Sequence, residues 1–242
     1  MVLKMDRQMK SSLYMLYANN IASFMTFWAV IACLTVLTIT ISYLFPDSNN
    51  GLTLSGPVYI YGAVIGAMLV TNFIPYLVKL GVTRQTVFLS AGLFSIALVV
   101  INALLVIVIN VFLKFIFPVE QADMFIIKTN ENTVTFSHIS DIFENSSLFS
   151  MATIDISISF FMLVIAFMIA LLFYRYGMII GFLTLGVLIF AFIFSARKGW
   201  IEPIFWHIFS NFDITFFYKM FILSLILYSL SYFMLRNVAI KT

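Results

Sequence analysis

Few residues in this chain have the type and spacing to do chemistry. His207 and Asn211 form an HxxxN pair, a spacing used by intramembrane proteases, but the paired-glutamate EExxxR sequence such an enzyme also needs is absent. His138 stands far from that pair along the chain, and two isolated histidines serve structure more often than they bind metal. The single cysteine, Cys33, excludes an intrachain disulfide and a multi-cysteine metal cage; it reads as a small core hydrophobe. The sequence contains no GxxxxGK[ST] phosphate loop and no HExxH, and no GxSxG elbow. What remains is a basic run, Lys79-Leu80-Gly81-Val82-Thr83-Arg84-Gln85, whose chemistry would be recognition rather than bond breaking. Gly81 suits the left-handed residue that ends a helix. Thr83 suits the N-cap of a following turn or short helix, with Thr83-Arg84-Gln85-Thr86 only a partial capping box. The product would be a stiff, positively charged knuckle; its plainer reading is a hairpin turn whose charges set topology.

The elements that carry these residues are apolar and long. Hydrophobic residues make up 63% of the 242 and charged residues 10%, and the mean hydropathy is +1.10. A soluble domain could not cover its surface with so few charges. A bilayer core of about 30 Å takes roughly 20 apolar residues per helix, and the sequence supplies six such runs: 21–45, 57–78, 88–117, 156–174, 178–196 and 217–235. We therefore expect an all-α polytopic membrane protein, a single domain over 1–242 with its largest polar loop at 118–155. No polar segment is long enough for a catalytic or nucleotide-binding domain. The run 21–45 is too long for the apolar region of a cleaved leader, so it is expected to be retained. A net charge of +3 is too small to read as nucleic-acid binding.

Basic residues set the expected orientation. With the N-terminus inside, the inner side holds Lys4, Arg7, Lys10, Lys79, Arg84, Arg175, Arg236 and Lys241, opposed only by Asp6. The other basic residues fall in outer segments with most of the acids, including Asp155 at the start of the fourth span, so both termini are expected in the cytoplasm. Residues 4–20 place Met5, Met9, Leu13 and Leu16 opposite Arg7 and Lys10, as an interfacial helix would. The stretch 197–216 is rich in aromatics and broken by Gly199 and Pro203. It is too short to span, and we expect re-entrant or interfacial outer helices there, with Trp200 and Trp206 at the interface. In 118–155, Phe125-Ile126-Ile127 and Thr133-Val134-Thr135-Phe136 suggest a small hairpin, followed by a helix near 138–149. The span interiors lack a charged relay, which argues against ion coupling. Asn72, Asn102 and Asn110 read as helix–helix contacts, and Gly62 and Gly66 (GxxxG), Gly177, Gly181 and Gly186 would permit close packing.

Taken together, six spans with both termini inside, an interfacial N-terminal helix, Leu80-Gly81-Val82-Thr83-Arg84 between spans two and three, and a broken aromatic loop before the last span resemble the ABC-2 type exporter permease family. The resemblance covers the whole chain in architecture, while its specific residues are few. It implies that 76–90 forms a cytoplasmic coupling helix, in which Lys79, Gly81, Val82, Thr83, Arg84 and Gln85 dock on a cytoplasmic ABC ATPase subunit. It implies an outer gate at Trp200, Pro203, Phe205 and Trp206, and a second permease subunit, identical or not, with spans one, two and five at the interface. ATP and Mg would be bound by the ATPase, with no cofactor in this chain. The implied cargo is amphipathic peptides of the phenol-soluble modulin kind, or lipid-like molecules, expelled across a Gram-positive cell membrane. One departure is that the largest outer loop lies between spans three and four. Two other readings remain: a non-transporting membrane sensor or immunity protein, and a membrane enzyme, for which no clustered acid, base or metal groups are found.

Overall fold

The structure, a computed structural model, describes residues 2–44, 50–51, 54–116, 125–129, 132–136, 147–200, 203 and 214–236. Among the described residues, six helices are long and apolar enough to cross a membrane. Helix α1 spans Val2–Leu44. Helix α2 (Ser55–Met68) passes through a π-helical turn, Leu69–Phe73, into α3 (Ile74–Lys79), so the second span is three segments end to end. Helix α4 follows at Arg84–Ile116, α5 at Leu148–Tyr176, α6 at Met178–Arg197 and α7 at Ile214–Arg236. Outside the helices lie β1 (Asn50–Gly51), β2 (Phe125–Thr129) and β3 (Asn132–Phe136). The last two pair antiparallel as the expected hairpin, and β1 adds to β3 in parallel.

Some expectations need correction. Residues 4–20 are not a separate interfacial helix: they continue into the first span as one 43-residue helix, about 65 Å long at 1.5 Å per residue. No glycine or proline interrupts Val2–Leu44. The amide of Asn20 donates to the Leu16 carbonyl at 2.8 Å, so the polar Ala18-Asn19-Asn20 sequence does not break the helix. Ser12, Leu16, Asn20, Ile31 and Thr35 are buried along one stripe, so the lead-in already packs on the bundle. Cys33 is exposed on the outer face of this helix rather than in the core.

Second, α5 begins eight residues before the expected 156. Ser147 is extended and its hydroxyl accepts from the Ser150 N–H at 3.2 Å, which fixes the helix start. The helix expected near 138–149 lies outside the described residues up to 146. Third, no separate coupling helix stands between the second and third spans. Only residues 80–83 separate α3 from α4.

Helix α5 is the central element, apolar all round as a helix surrounded by others must be. It packs on α2, α4, α6 and α7, and Phe160, Leu163, Val164, Phe167 and Leu171 sit in the core with Ile65, Leu69 and Leu77 of the second span. Gly62 and Gly66 face α5. A Cβ at Gly62 would touch the Ser159 carbonyl oxygen at 3.4 Å, and one at Gly66 would overlap the Leu163 main chain. The GxxxG spacing therefore brings two backbones together, as it does between helices in lipid. Gly186 has open space around it and makes no such contact.

Candidate functional site

The knuckle is built from two caps back to back. Gly81 has φ +79°, a conformation that a side chain would penalise. Its N–H bonds to the Val78 carbonyl at 3.0 Å and the Val82 N–H to the Leu77 carbonyl at 3.2 Å, the paired bonds of a Schellman motif. Val82 packs back on the core that contains Leu77, which is the hydrophobic contact such a motif uses. Thr83 then starts α4. Its hydroxyl accepts from the Thr86 N–H at 3.3 Å and lies 2.8 Å from the Thr86 hydroxyl. Its carbonyl accepts from the Val87 N–H at 2.9 Å. Gly81 and Thr83 thus take the capping roles their types suggest, and what Thr83 caps is the 33-residue α4.

Capping fixes what the turn presents. Lys79, Gly81, Thr83 and Gln85 are exposed, while Val82 and Arg84 are half-buried. Leu80, which is not among the docking residues the resemblance implies, is 61% exposed at the tip. Arg84 does not project freely: its guanidinium donates to the main-chain carbonyl of Arg236, the last residue of α7. A cation at a helix N-terminus opposes the macrodipole, but here it meets the negative C-terminal end of a neighbour. The chain's up-and-down course puts the ends of α3, α5 and α7 and the starts of α1 and α4 on one rim. That rim carries Arg7, Lys10, Lys79, Arg84, Arg175 and Arg236.

Of the expected outer gate, Trp200 and Pro203 are described. Helix α6 ends in a second Schellman pair, with the Gly199 N–H on the Ala196 carbonyl at 3.0 Å and the Trp200 N–H on the Ser195 carbonyl at 3.1 Å. This sets the Trp200 ring edge-on against Phe194, centroids 6.3 Å apart, with Trp200 63% exposed. Pro203 is exposed. Phe205, Trp206, His207 and Asn211, and the expected re-entrant helices, lie outside the described residues, as does His138.

A polar pair that sequence reasoning missed lies at the opposite end of the bundle from the basic rim. The sequence pattern places Asp155 at the outer boundary of a span. It sits seven residues inside α5, 1% exposed, and accepts from the Tyr59 hydroxyl of α2 at 2.5 Å. The 29 residues of α5 run about 43 Å, about 13 Å beyond a 30 Å hydrocarbon core. Centred, the helix would put Asp155 about 4 Å inside the core boundary. Ionisable groups at such depth face the bundle interior and pair, as this one does. A polar residue within an otherwise apolar run was the available signal. A second link, the Trp28 indole N–H on the Asn102 side-chain oxygen at 3.1 Å, ties α1 to α4, the helix-contact role expected for Asn102. Among the described residues no group of three or more His, Cys, Asp or Glu could hold a metal ion.

Comparison with family models, with curated proteins and with solved structures finds no match to this chain.

Proposed function

We propose that this chain is the membrane-spanning subunit of an ATP-driven exporter of the ABC-2 type, with the 79–85 turn as the surface on which a cytoplasmic ATPase acts. The observation that carries the reading is the rigidity of that turn. A Schellman cap and a threonine N-cap hold four residues between the second and third spans, and they leave exposed an apolar side chain, Leu80, together with Lys79, Thr83 and Gln85. A topology-setting turn has no need of an exposed leucine at its tip, whereas a docking knob does. The basic rim supports placing both termini and this turn in the cytoplasm.

The chain has no nucleotide-binding motif of its own, so the ATPase would be a separate subunit. A displacement of the turn would pass directly into α4 and, through Arg84, into the end of α7. Two copies, or this chain with a related one, would switch between inward- and outward-closed forms. An apolar, aromatic-rich interior suits amphipathic peptides or lipid-like cargo better than ions, and the outer stretch after α6 would close the path. The location is a bacterial cell membrane, Gram-positive by the resemblance.

The test is cross-linking in membranes from Leu80→Cys in a Cys33→Ser background. Capture of a cytoplasmic ATPase is expected, together with loss of cargo-stimulated ATP hydrolysis in Leu80→Glu. Capture of lipid or the chain alone, in folded protein, would overturn the reading in favour of a non-transporting membrane protein.

A further inference from the structure

The flank between α1 and α4 carries an apolar groove of about 500 Å³, within the size range of ligand pockets. Leu13, Tyr17 and Phe24 form one wall and Leu93, Ala97 and Ile101 the other. Asn20 and Tyr17 are the polar residues among its lining, and one N–H of the Asn20 amide already donates to the Leu16 carbonyl within α1. The groove therefore favours an apolar occupant. From Leu13 to Phe24 it runs about 16 Å along the helix axis, the depth of one leaflet of a 30 Å core. Lys10 lies one turn beyond Leu13 on α1 and Arg7 a turn further, both exposed. They stand where the headgroup of a lipid in that groove would be, and Asp6 is the one acid in that part of the sequence.

We propose that the α1–α4 groove binds an anionic phospholipid of the leaflet on the N-terminal side, its acyl chain along Ala97 and its headgroup on Arg7 and Lys10. Length, apolarity and charge agree on this occupant. An amphipathic peptide would want more polar partners along the groove wall than Tyr17 and Asn20, and a zwitterionic lipid would gain little from a locally net-positive cluster. The inference stands independently of any ATPase partner.

Native mass spectrometry of the full chain, equilibrated with equal phosphatidylglycerol and phosphatidylcholine, tests it. Wild type should retain phosphatidylglycerol selectively. Arg7→Gln with Lys10→Gln should reduce that preference about 30-fold, the effect of two charges at an anionic surface. Ala97→Phe, which fills the groove, should abolish retention of the selected lipid. Undiminished selectivity in the double variant would overturn the proposal. So would unchanged retention in Ala97→Phe, or a co-purifying peptide in place of lipid. If Ala97→Phe fails to fold, the double variant decides alone, since both its side chains are exposed.

Discussion

Replacing Tyr59 by phenylalanine removes one hydroxyl and leaves a buried carboxyl without the donor that holds it at 2.5 Å. Hydrogen bonds to such groups contribute about 1.5–3 kcal/mol, and those between helices in lipid average somewhat under 1 kcal/mol. Tyr59→Phe should therefore cost about 1–2 kcal/mol in detergent-induced unfolding followed by circular dichroism. Asp155→Asn keeps an acceptor and should cost less than Asp155→Ala, which removes the Tyr59 hydroxyl's partner on α5; the reverse ranking would show that the pair does not tie α2 to α5. Thr83→Ala should cost about 1 kcal/mol in the same assay through loss of the cap. The roles of Gly81 and Thr83 were legible because caps depend on residues within four positions. The Tyr59–Asp155 bond was not, because its partners are 96 residues apart and local pattern assigned Asp155 to a boundary.

At the level of elements, the second span is where sequence and geometry meet most tightly. Pro75 has no N–H to give the Thr71 carbonyl four residues back, and its ring crowds that carbonyl. The helix widens into the π turn Leu69–Phe73 immediately before it, with the Ile74 N–H reaching the Leu69 carbonyl. Pro75→Ala should let the turn relax to α-helix and rotate the Lys79–Leu80 tip. Altered labelling of Leu80→Cys in that background would report the rotation, and unchanged labelling would show that packing alone sets the π turn. Gly66→Val should be far more damaging than Gly186→Val, because the first meets the Leu163 main chain and the second meets nothing within 4 Å. Overpacking of this kind costs typically 1–3 kcal/mol, and comparison of the two melting temperatures checks it. Period and hydropathy revealed the six helices in order, yet not that 4–20 and the first span are one rod. An amphipathic stretch reads alike whether its apolar face meets lipid headgroups or, as Ser12 and Leu16 do, a neighbouring helix.

For the whole molecule, topology is the property most exposed to test. If the basic rim is cytoplasmic, Leu80→Cys should react with an impermeant maleimide only in inverted vesicles, and labelling from outside would reverse the orientation. The helices share burial unequally. Helix α5 is enclosed, whereas among the described residues α6 has only Gly181 buried and packs chiefly on α5. The link between those two is Gly177, a single residue at φ +83° whose N–H closes α5 on the Phe173 carbonyl and whose carbonyl accepts the Gly181 N–H. Apart from Arg175 in the last turn of α5, no hydrophilic segment separates α5 from α6. The two helices are expected to enter the membrane together as a hairpin, and lengthening that joint should let them insert separately.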